Sequence, residues 1–212
     1  MRPPGTPEER HPGLDAKIVA GLDRIGEALG VLARRAAEAH DLSVTQMRLL
    51  ARLAAGPPPD ATTSALAREL DVTDPTVSDA FGALRRKGLV EREQNPHDRR
   101  QYHLRLTPAG REVAAAVARW TAPAEMLTAR IGRTEAEQLL AGLLEVLGRL
   151  CAGGLVDGVR ACSTCRHLRP GDGAGPPYRC ALFDVPMGHS DLRVDCAQHE
   201  VLPQPVGAPG AA

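Results

Sequence analysis

The chain has 212 residues, 43% of them hydrophobic but only 2% aromatic, and its formal net charge is zero. This length supports one substantial core plus a small appended module, and a core of Ala, Leu and Val favours helices over a β-sandwich or barrel. The neutral balance excludes a global positive field as the driving force for binding DNA. No apolar run has transmembrane length and no secretory signal pattern is present, so we expect a cytoplasmic protein with cysteines that are reduced thiols or metal ligands.

The N-terminal part of the chain predicts two helices behind a disordered arm. Residues 1–13 mix prolines and charges without periodicity, which is typical of disorder. From Leu14 to about His40, apolar residues recur every three or four positions, which predicts a long helix whose apolar stripe needs a partner surface. Ser43 is the predicted N-cap of the next helix. The predicted core residues of that helix are Met47, Leu49, Leu50 and Leu53.

Residues 62–107 predict a DNA-reading unit of two short helices followed by a pair of strands. Leu66, Ala67 and Leu70 have helical spacing, and Asp74-Pro75 begins a second helix with a carboxylate at the cap and proline in the first turn. This second helix ends at Gly88. Its apolar face consists of Val77, Phe81 and Leu84. The predicted strands, 89–92 and 102–106, enclose a polar loop with arginines near its tip.

This element order is typical of a winged helix-turn-helix. We expect helix 74–87 to enter the major groove and wing 91–106 to reach the minor groove. Thr76 and Ser78, in the first turn of the helix, are predicted to contact bases or phosphates. Arg85 and Arg86, near its end, are predicted to hold phosphates, whereas Lys87 and Arg92 could serve either as phosphate contacts or as ordinary surface charges.

The same stretch resembles the MarR family of transcriptional regulators. The resemblance rests on Asp98-Arg99-Arg100, on the strand 102–106 and on Thr107-Pro108-Ala109-Gly110, and residues 66–70 and 84–90 agree with it. It covers roughly residues 14 to 150 as an order of elements. It implies a homodimer on a pseudo-palindromic operator, usually acting as a repressor, with the first helix paired with the C-terminal helices of the second subunit.

The resemblance also implies roles for single residues. An Asp-x-Arg element shapes the wing in this family and is matched by Asp98 and Arg100, which leaves Arg99 or Arg100 for the minor groove. Such regulators often hold a small-molecule effector in a crevice between the dimer helices and the reading head. The candidate lining residues are Ile25, Leu29 and Met47, although residues of these types are more often plain core.

Further helices are predicted after the wing. Residues 111–130 are rich in alanine, and Pro123 is expected to kink or break that helix. Thr134 and Glu137 form a predicted capping box for a leucine-rich helix that ends near Gly153. Its stripe of leucines suits a dimer interface with the first helix. Residues 14–155 are therefore predicted to be the winged-helix and dimerisation domain, mainly α-helical with a small β-hairpin wing.

The composition changes in residues 156–202, which we interpret as a small, irregular, cysteine-rich module followed by a flexible tail at 203–212. The spacing is Cys162-x2-Cys165, fourteen residues, Cys180, fifteen residues and Cys196-x2-His199. A C-x2-C pair brings two sulfurs close enough to share a tetrahedral ion, and two further thiols complete a four-thiolate site. His199 could replace Cys196. A segment this rich in Gly and Pro needs a bound metal to fold.

Three chemistries remain open for these cysteines. Zinc in a structural role comes first, an iron–sulfur cluster second and a thiol–disulfide switch through Cys162 and Cys165 third. Correspondingly, the chain is interpreted first as a DNA-binding regulator and second as a redox- or iron-sensing regulator. The non-regulatory alternatives are a protein-interaction scaffold and a thiol oxidoreductase. No nucleophile–base pair or phosphate loop points to catalysis, so we expect a protein that is not an enzyme.

Overall fold

The computed structural model describes residues 13–55, 63–94, 102–173 and 175–202. The winged-helix part contains α1 (Leu14–Glu38), α2 (Val44–Ala54), α3 (Thr63–Glu69), α4 (Asp74–Arg86), β1 (Val90–Gln94), β2 (Tyr102–Leu106), α5 (Pro108–Val117), α6 (Ala122–Thr128) and α7 (Arg133–Ala152). The cysteine-rich part contains β3 (Leu168–Pro170), β4 (Tyr178–Cys180) and β5 (Val185–Met187), with 3₁₀ turns at Cys162–Thr164 and His189–Asp191. The described fold is mainly helical with two small antiparallel sheets, one of two strands and one of three.

The first hydrophobic core joins α2, α4 and the elements around them. All four residues that periodicity assigned to the core of α2 are buried, and so are Val77, Phe81 and Leu84 on α4. On α3, Leu66 and Ala67 are buried and Leu70 packs against the core from a half-buried position. Burial of these side chains supplies the main favourable term for holding the helices together.

Two predicted helix starts are confirmed by hydrogen bonds. Ser43 Oγ accepts the backbone N–H of Gln46 at 3.1 Å, and the Gln46 side chain accepts the N–H of Ser43 at 3.2 Å. Thr107 Oγ1 accepts the N–H of Gly110 at 3.0 Å at the start of α5. Each cap satisfies a backbone donor that the first helical turn leaves without a partner.

Two other predicted starts were wrong in detail. Thr73, and not Asp74, is the N-cap of α4, and its Oγ1 accepts the N–H of Thr76 at 3.4 Å. Helix α7 begins at Arg133, directly after Gly132, without a side-chain cap, so the predicted capping box of Thr134 does not form. In both cases the residue proposed as the cap lies inside the helix, which therefore begins earlier than predicted. Several adjacent residues were acceptable caps, and the sequence pattern did not distinguish between them.

Two glycines fix the connection between α4, the hairpin and α5. Gly88, with φ of +69°, follows the C-cap of α4 and ends the helix as predicted. At Gly110 a Cβ atom would lie 1.8 Å from the carbonyl oxygen of Leu89. The same carbonyl accepts the N–H of Thr107 at 3.1 Å, so α5 is held directly against the start of the hairpin.

A second hydrophobic core joins α7 to the cysteine-rich segment. Leu144 of α7 is buried together with Ala161, Met187 and Leu192, and Leu140 and Leu147 pack against them. Part of the leucine stripe that was expected to suit a dimer interface therefore holds the cysteine-rich segment instead. Leu139 of the same stripe remains 48% exposed.

Several predictions concern residues that the structure does not describe. The N-terminal arm, the linker at 56–60, the loop at 95–101 and the tail at 203–212 lie outside the described residues, apart from Gly13 in the arm. The predicted domain boundaries stay predictions. Among the described helices, none combines the length and the apolar character needed to cross a membrane.

Candidate functional site

Helix α4 buries its apolar side and exposes a polar one. Thr76 and Ser78 lie in the first turns of the helix with exposed side chains, as the sequence predicted for a reading surface. The hydroxyl of Thr76 lies 2.8 Å from that of Thr73, so its orientation is fixed by the cap. Small hydroxyl side chains at this end of a helix allow its backbone to approach a nucleic acid closely.

The C-terminal end of α4 carries the arginines predicted to hold phosphates. Arg85 and Arg86 lie in the last turn, and both are exposed. Within the described part of the chain neither forms an ion pair. Guanidinium groups that are not used for internal pairs are available for charge-assisted hydrogen bonds to phosphate oxygens.

Two cations whose role was left open turn out to have internal partners. Lys87 Nζ lies 2.9 Å from Asp41 Oδ2 and also donates to the Asp41 carbonyl oxygen. The hydrogen bond and the charge of Lys87 lower the pKa of the Asp41 carboxyl. The guanidinium carbon of Arg92 lies 5.3 Å from the centre of the Phe81 ring, within the range of a cation–π contact.

The base of the wing is well defined, whereas its tip is not among the described residues. Strands β1 and β2 are paired from Val90 with Leu106 to Gln94 with Tyr102, and Arg105 forms an ion pair with Glu93 across them. The predicted wing residues Asp98, Arg99 and Arg100 lie outside the described residues.

An exposed apolar surface runs along the N-terminal half of α1. Leu14 is 74% exposed, and Ile18 and Ile25 are about half exposed. Only the C-terminal part of the helix is tied into the first core, through Ala33 and Ala37. The described part of the chain therefore leaves a regular apolar stripe of this long helix open, which is typical of a contact surface.

The four predicted metal ligands line one pocket of about 280 Å³ in the cysteine-rich part. Cys162, Cys165 and Cys180 are half-buried, and Cys196 is buried. The remaining wall is largely apolar, with Leu168, Phe183 and Met187 among its residues. The chain therefore brings together thiols that are up to 34 positions apart (Cys162 to Cys196).

Hydrogen-bond donors point towards two of these sulfurs. The backbone N–H of Arg193 donates to Cys162 Sγ at 3.2 Å, and its guanidinium lies 3.9 Å from Cys196 Sγ. Such donors stabilise the thiolate form that a metal needs. Burial raises the pKa of the Cys162 thiol, and the Arg193 amide opposes this effect.

The sulfurs are arranged around the pocket and do not meet at one point. Among the described residues, no three Cys, His, Asp or Glu side chains come together closely enough to hold a single ion. A tetrahedral zinc site with bonds of about 2.3 Å requires sulfur atoms roughly 3.8 Å apart. The four thiols that line the pocket are nevertheless the donor set of a thiolate-bound group.

The histidines near the cysteines are not placed as expected from the sequence, which named His199 as a possible substitute for Cys196. His199 Nε2 lies 2.9 Å from Thr164 Oγ1, and His199 is not among the residues that line the pocket. Burial lowers the pKa of His199. His167, which the sequence pattern did not single out as a ligand, does line the pocket, and its Nε2 lies 3.1 Å from Glu200 Oε1. The position of His167 two residues after Cys165 was the signal that could have revealed this.

Comparisons with known proteins agree with the geometry of the winged helix. A model of the MarR family matches residues 40–101. The structure of the Staphylococcus aureus MepR–DNA complex aligns with a TM-score of 0.55 and 26% identity, covering 62% of this chain and 97% of that chain. A second MepR structure, described as a transcription regulator of the S. aureus multidrug efflux pump MepA, aligns with a TM-score of 0.50 and 26% identity and covers 61% and 95%.

A MarR family transcription regulator aligns with a TM-score of 0.56 and 22% identity, covering 65% of this chain and 89% of that chain, and at this identity shows the fold alone. A comparison with curated proteins found no match. Over its winged-helix part, the chain is therefore similar to transcription regulators of the MarR family. The matched structures cover up to 65% of the chain.

The Asp41–Lys87 pair predicts a dependence of stability on pH. The pKa of Asp41 is lowered in the folded state, so its stabilising effect is present above the unfolded pKa of about 4 and is lost as the pH falls through the folded value. Asp41→Asn suits this position because asparagine tolerates its φ of +53°. We expect a slightly lower Tm for the variant at pH 7 and a smaller difference from the parent at pH 3, measured by circular dichroism. A Tm difference independent of pH would exclude the pair as its cause.

Proposed function

We propose that this protein is a sequence-specific DNA-binding transcription regulator, most simply a repressor, that acts as a homodimer on a pseudo-palindromic operator. Helix 74–87 would enter the major groove and wing 91–106 the minor groove. The observation that carries the proposal is the division of α4 into a buried apolar side and an exposed side with hydroxyls at one end and arginines at the other. Similarity to MepR bound to DNA supports it.

Roles within this interface follow from position along α4 and the wing. Thr76 and Ser78 are proposed to contact bases or phosphates, and Arg85 and Arg86 to hold phosphates. In the wing, Asp98 is proposed to shape the loop for Arg99 and Arg100. Lys87 is set apart from this group because it is already paired with Asp41.

The homodimer is supported by the exposed stripe on α1. Its apolar side chains follow one another at intervals of about one helical turn, and an isolated chain would expose them to water. A second copy offers the same stripe, and the exposed part of the α7 stripe with it. Symmetric pairing would place two copies of α4 on one operator, with half-sites about one turn of DNA apart.

The cysteine pocket is proposed to hold a metal through Cys162, Cys165, Cys180 and Cys196. Zinc remains a candidate because closed thiolate coordination in a small module is commonly zinc. An iron–sulfur cluster is the second candidate because four cysteines are equally able to hold one. A metal of either kind would contribute binding free energy to the folding of a segment with few buried apolar side chains.

The DNA-binding proposal predicts a change in salt dependence. Each phosphate contact contributes about 0.9 to the slope of log affinity against log salt. Arg85→Gln with Arg86→Gln should therefore weaken binding to a duplex that the parent protein selects from a randomised pool, and should reduce the slope by about 2. The matched control is Arg149→Gln on α7, which removes an exposed arginine paired with Glu145. An unchanged slope in the double variant would remove the end of α4 from the interface.

The dimer proposal predicts dissociation when charge is placed on the α1 stripe. Ile18→Glu with Ile25→Glu would put two carboxylates into an apolar interface, which is costly. We expect sedimentation equilibrium to show dimers for the parent and at least about a tenfold weaker association for the variant. Lys17→Gln, which changes an exposed polar residue on the same helix, should leave the association unchanged. A parent protein of monomer mass would refute the homodimer.

The metal proposal predicts that protein purified without oxygen contains a defined amount of metal per chain. Iron and sulfide with visible absorbance would support the cluster, and one zinc per chain would support the structural ion. Cys180→Ser should lose the metal, whereas Cys151→Ser should keep it because Cys151 lies on α7 and does not line the pocket. Metal-free parent protein that is fully folded would contradict both candidates.

A further inference from the structure

One carboxylate joins the winged helix to the cysteine-rich segment. Glu69, the last residue of α3, places Oε2 2.5 Å from Nε of Arg52 on α2 and Oε1 3.0 Å from Nη1 of Arg160. Arg160 in turn donates from Nε and Nη2 to Asp195 Oδ1, at 2.8 and 2.6 Å. These four side chains form a charge network in which each part of the chain supplies one cation and one anion.

Three of the four side chains in this network are sheltered, whereas that of Asp195 is 63% exposed. Arg52 is only 8% exposed, and the side chains of Glu69 and Arg160 are 16% and 19% exposed. Nε and Nη2 of Arg52 have no aligned hydrogen-bond partner in the described part of the chain, so nearby negative charge is what compensates the burial of its guanidinium. The single carboxylate of Glu69 faces the guanidinium groups of both Arg52 and Arg160. Asp195 supplies the second negative charge for these two cations only while the cysteine-rich segment is docked.

The cysteine-rich half of this network is attached directly to the proposed metal ligands. Arg160 precedes Cys162 by two residues, and Asp195 immediately precedes Cys196. The two segments are also hydrogen-bonded to each other, from Cys196 N–H to the Arg160 carbonyl at 3.0 Å and from Cys162 N–H to the Arg193 carbonyl at 2.9 Å. A group that ties the sulfurs of Cys162 and Cys196 together would therefore also fix Arg160 relative to Asp195.

The winged-helix half of the network reaches the DNA-reading helix. At the start of α3, Ser64 Oγ donates to Asp74 Oδ2 in the first turn of α4 at 2.7 Å. At its end, the backbone of Gly158 lies against α3, where a Cβ atom would be 2.7 Å from the Arg68 carbonyl oxygen. Helix α3 thus contacts the cysteine-rich segment at one end and the reading helix at the other.

We propose that the occupancy of the cysteine pocket by a thiolate-bound metal controls operator affinity, and that the Arg160–Glu69 contact transmits this control to α3 and α4. The inference deepens the proposed function and rests on it. Metal loss releases Cys162 from Cys196, separates Arg160 from Asp195 and leaves α3 less firmly placed. Coupling between two such sites commonly changes affinity 5- to 150-fold, and we expect about tenfold weaker binding.

A double-mutant cycle on the full chain tests the route. Cys180→Ser disables the pocket at a site remote in sequence from the network, and Arg160→Gln breaks the contact while leaving the Arg52–Glu69 pair in place. On the duplex selected by the parent protein, each single variant should bind about tenfold more weakly, and the double variant no more weakly than either. In an Arg149→Gln background, Cys180→Ser should keep its full effect. Additive losses, or no effect of Cys180→Ser, would overturn the proposal.

A second measurement does not depend on DNA or on the Arg160 variant. Amide hydrogen exchange of α3 is measured in the parent protein as purified and after metal removal by a chelator under reducing conditions. Faster exchange at residues 63–69 after removal supports the route, since local opening becomes easier. Unchanged exchange overturns it. A parent protein that selects no duplex would refute the proposed DNA-binding function, and the exchange result would still decide whether the pocket acts on α3.

Discussion

The arrangement of this molecule depends on the carboxylate of Glu69, which two arginines from different parts of the chain share. The winged helix and the cysteine-rich segment each have their own hydrophobic core. A sheltered guanidinium such as Arg52 requires compensation, which comes from Glu69 at 2.5 Å and, from outside the winged helix, from Asp195 at 3.9 Å. The charges therefore add a second link between the two parts, beside the apolar contact of α7 with the cysteine-rich segment.

Apolar burial and polar exposure are separated most clearly on α4. Val77, Phe81 and Leu84 hold the helix in the first core, and this leaves a continuous polar face on its other side. Lys87 and Asp41 fasten the end of the helix to the turn between α1 and α2, so the lysine stabilises the position of Arg85 and Arg86 rather than joining them. A helix that is to read DNA needs this combination of a buried face that fixes its position and an exposed polar face that is available to the duplex.

Local patterns predicted what depends on local physics. Periodicity located the helices and the buried faces of α2 and α4, and cap residues identified the starts of α2 and α5. The order of residues 62–107 also predicted the winged helix. Contacts between distant charges were missed, among them Lys87 with Asp41 and Arg160 with Glu69. Nothing in a charged side chain records which remote partner it will meet, because its attraction is the same for any opposite charge nearby.

The position of α7 bears on whether the cysteine-rich segment only adds stability. One part of its leucine stripe, centred on Leu144, packs on that segment, whereas Leu139 stays exposed. A module with a purely stabilising metal could be attached anywhere on the surface. This one lies between α7, whose exposed Leu139 is available to the proposed partner subunit, and α3, which contacts α4 through Ser64 and Asp74. Under the proposed function, a change in its shape would act on both the dimer and the DNA surface.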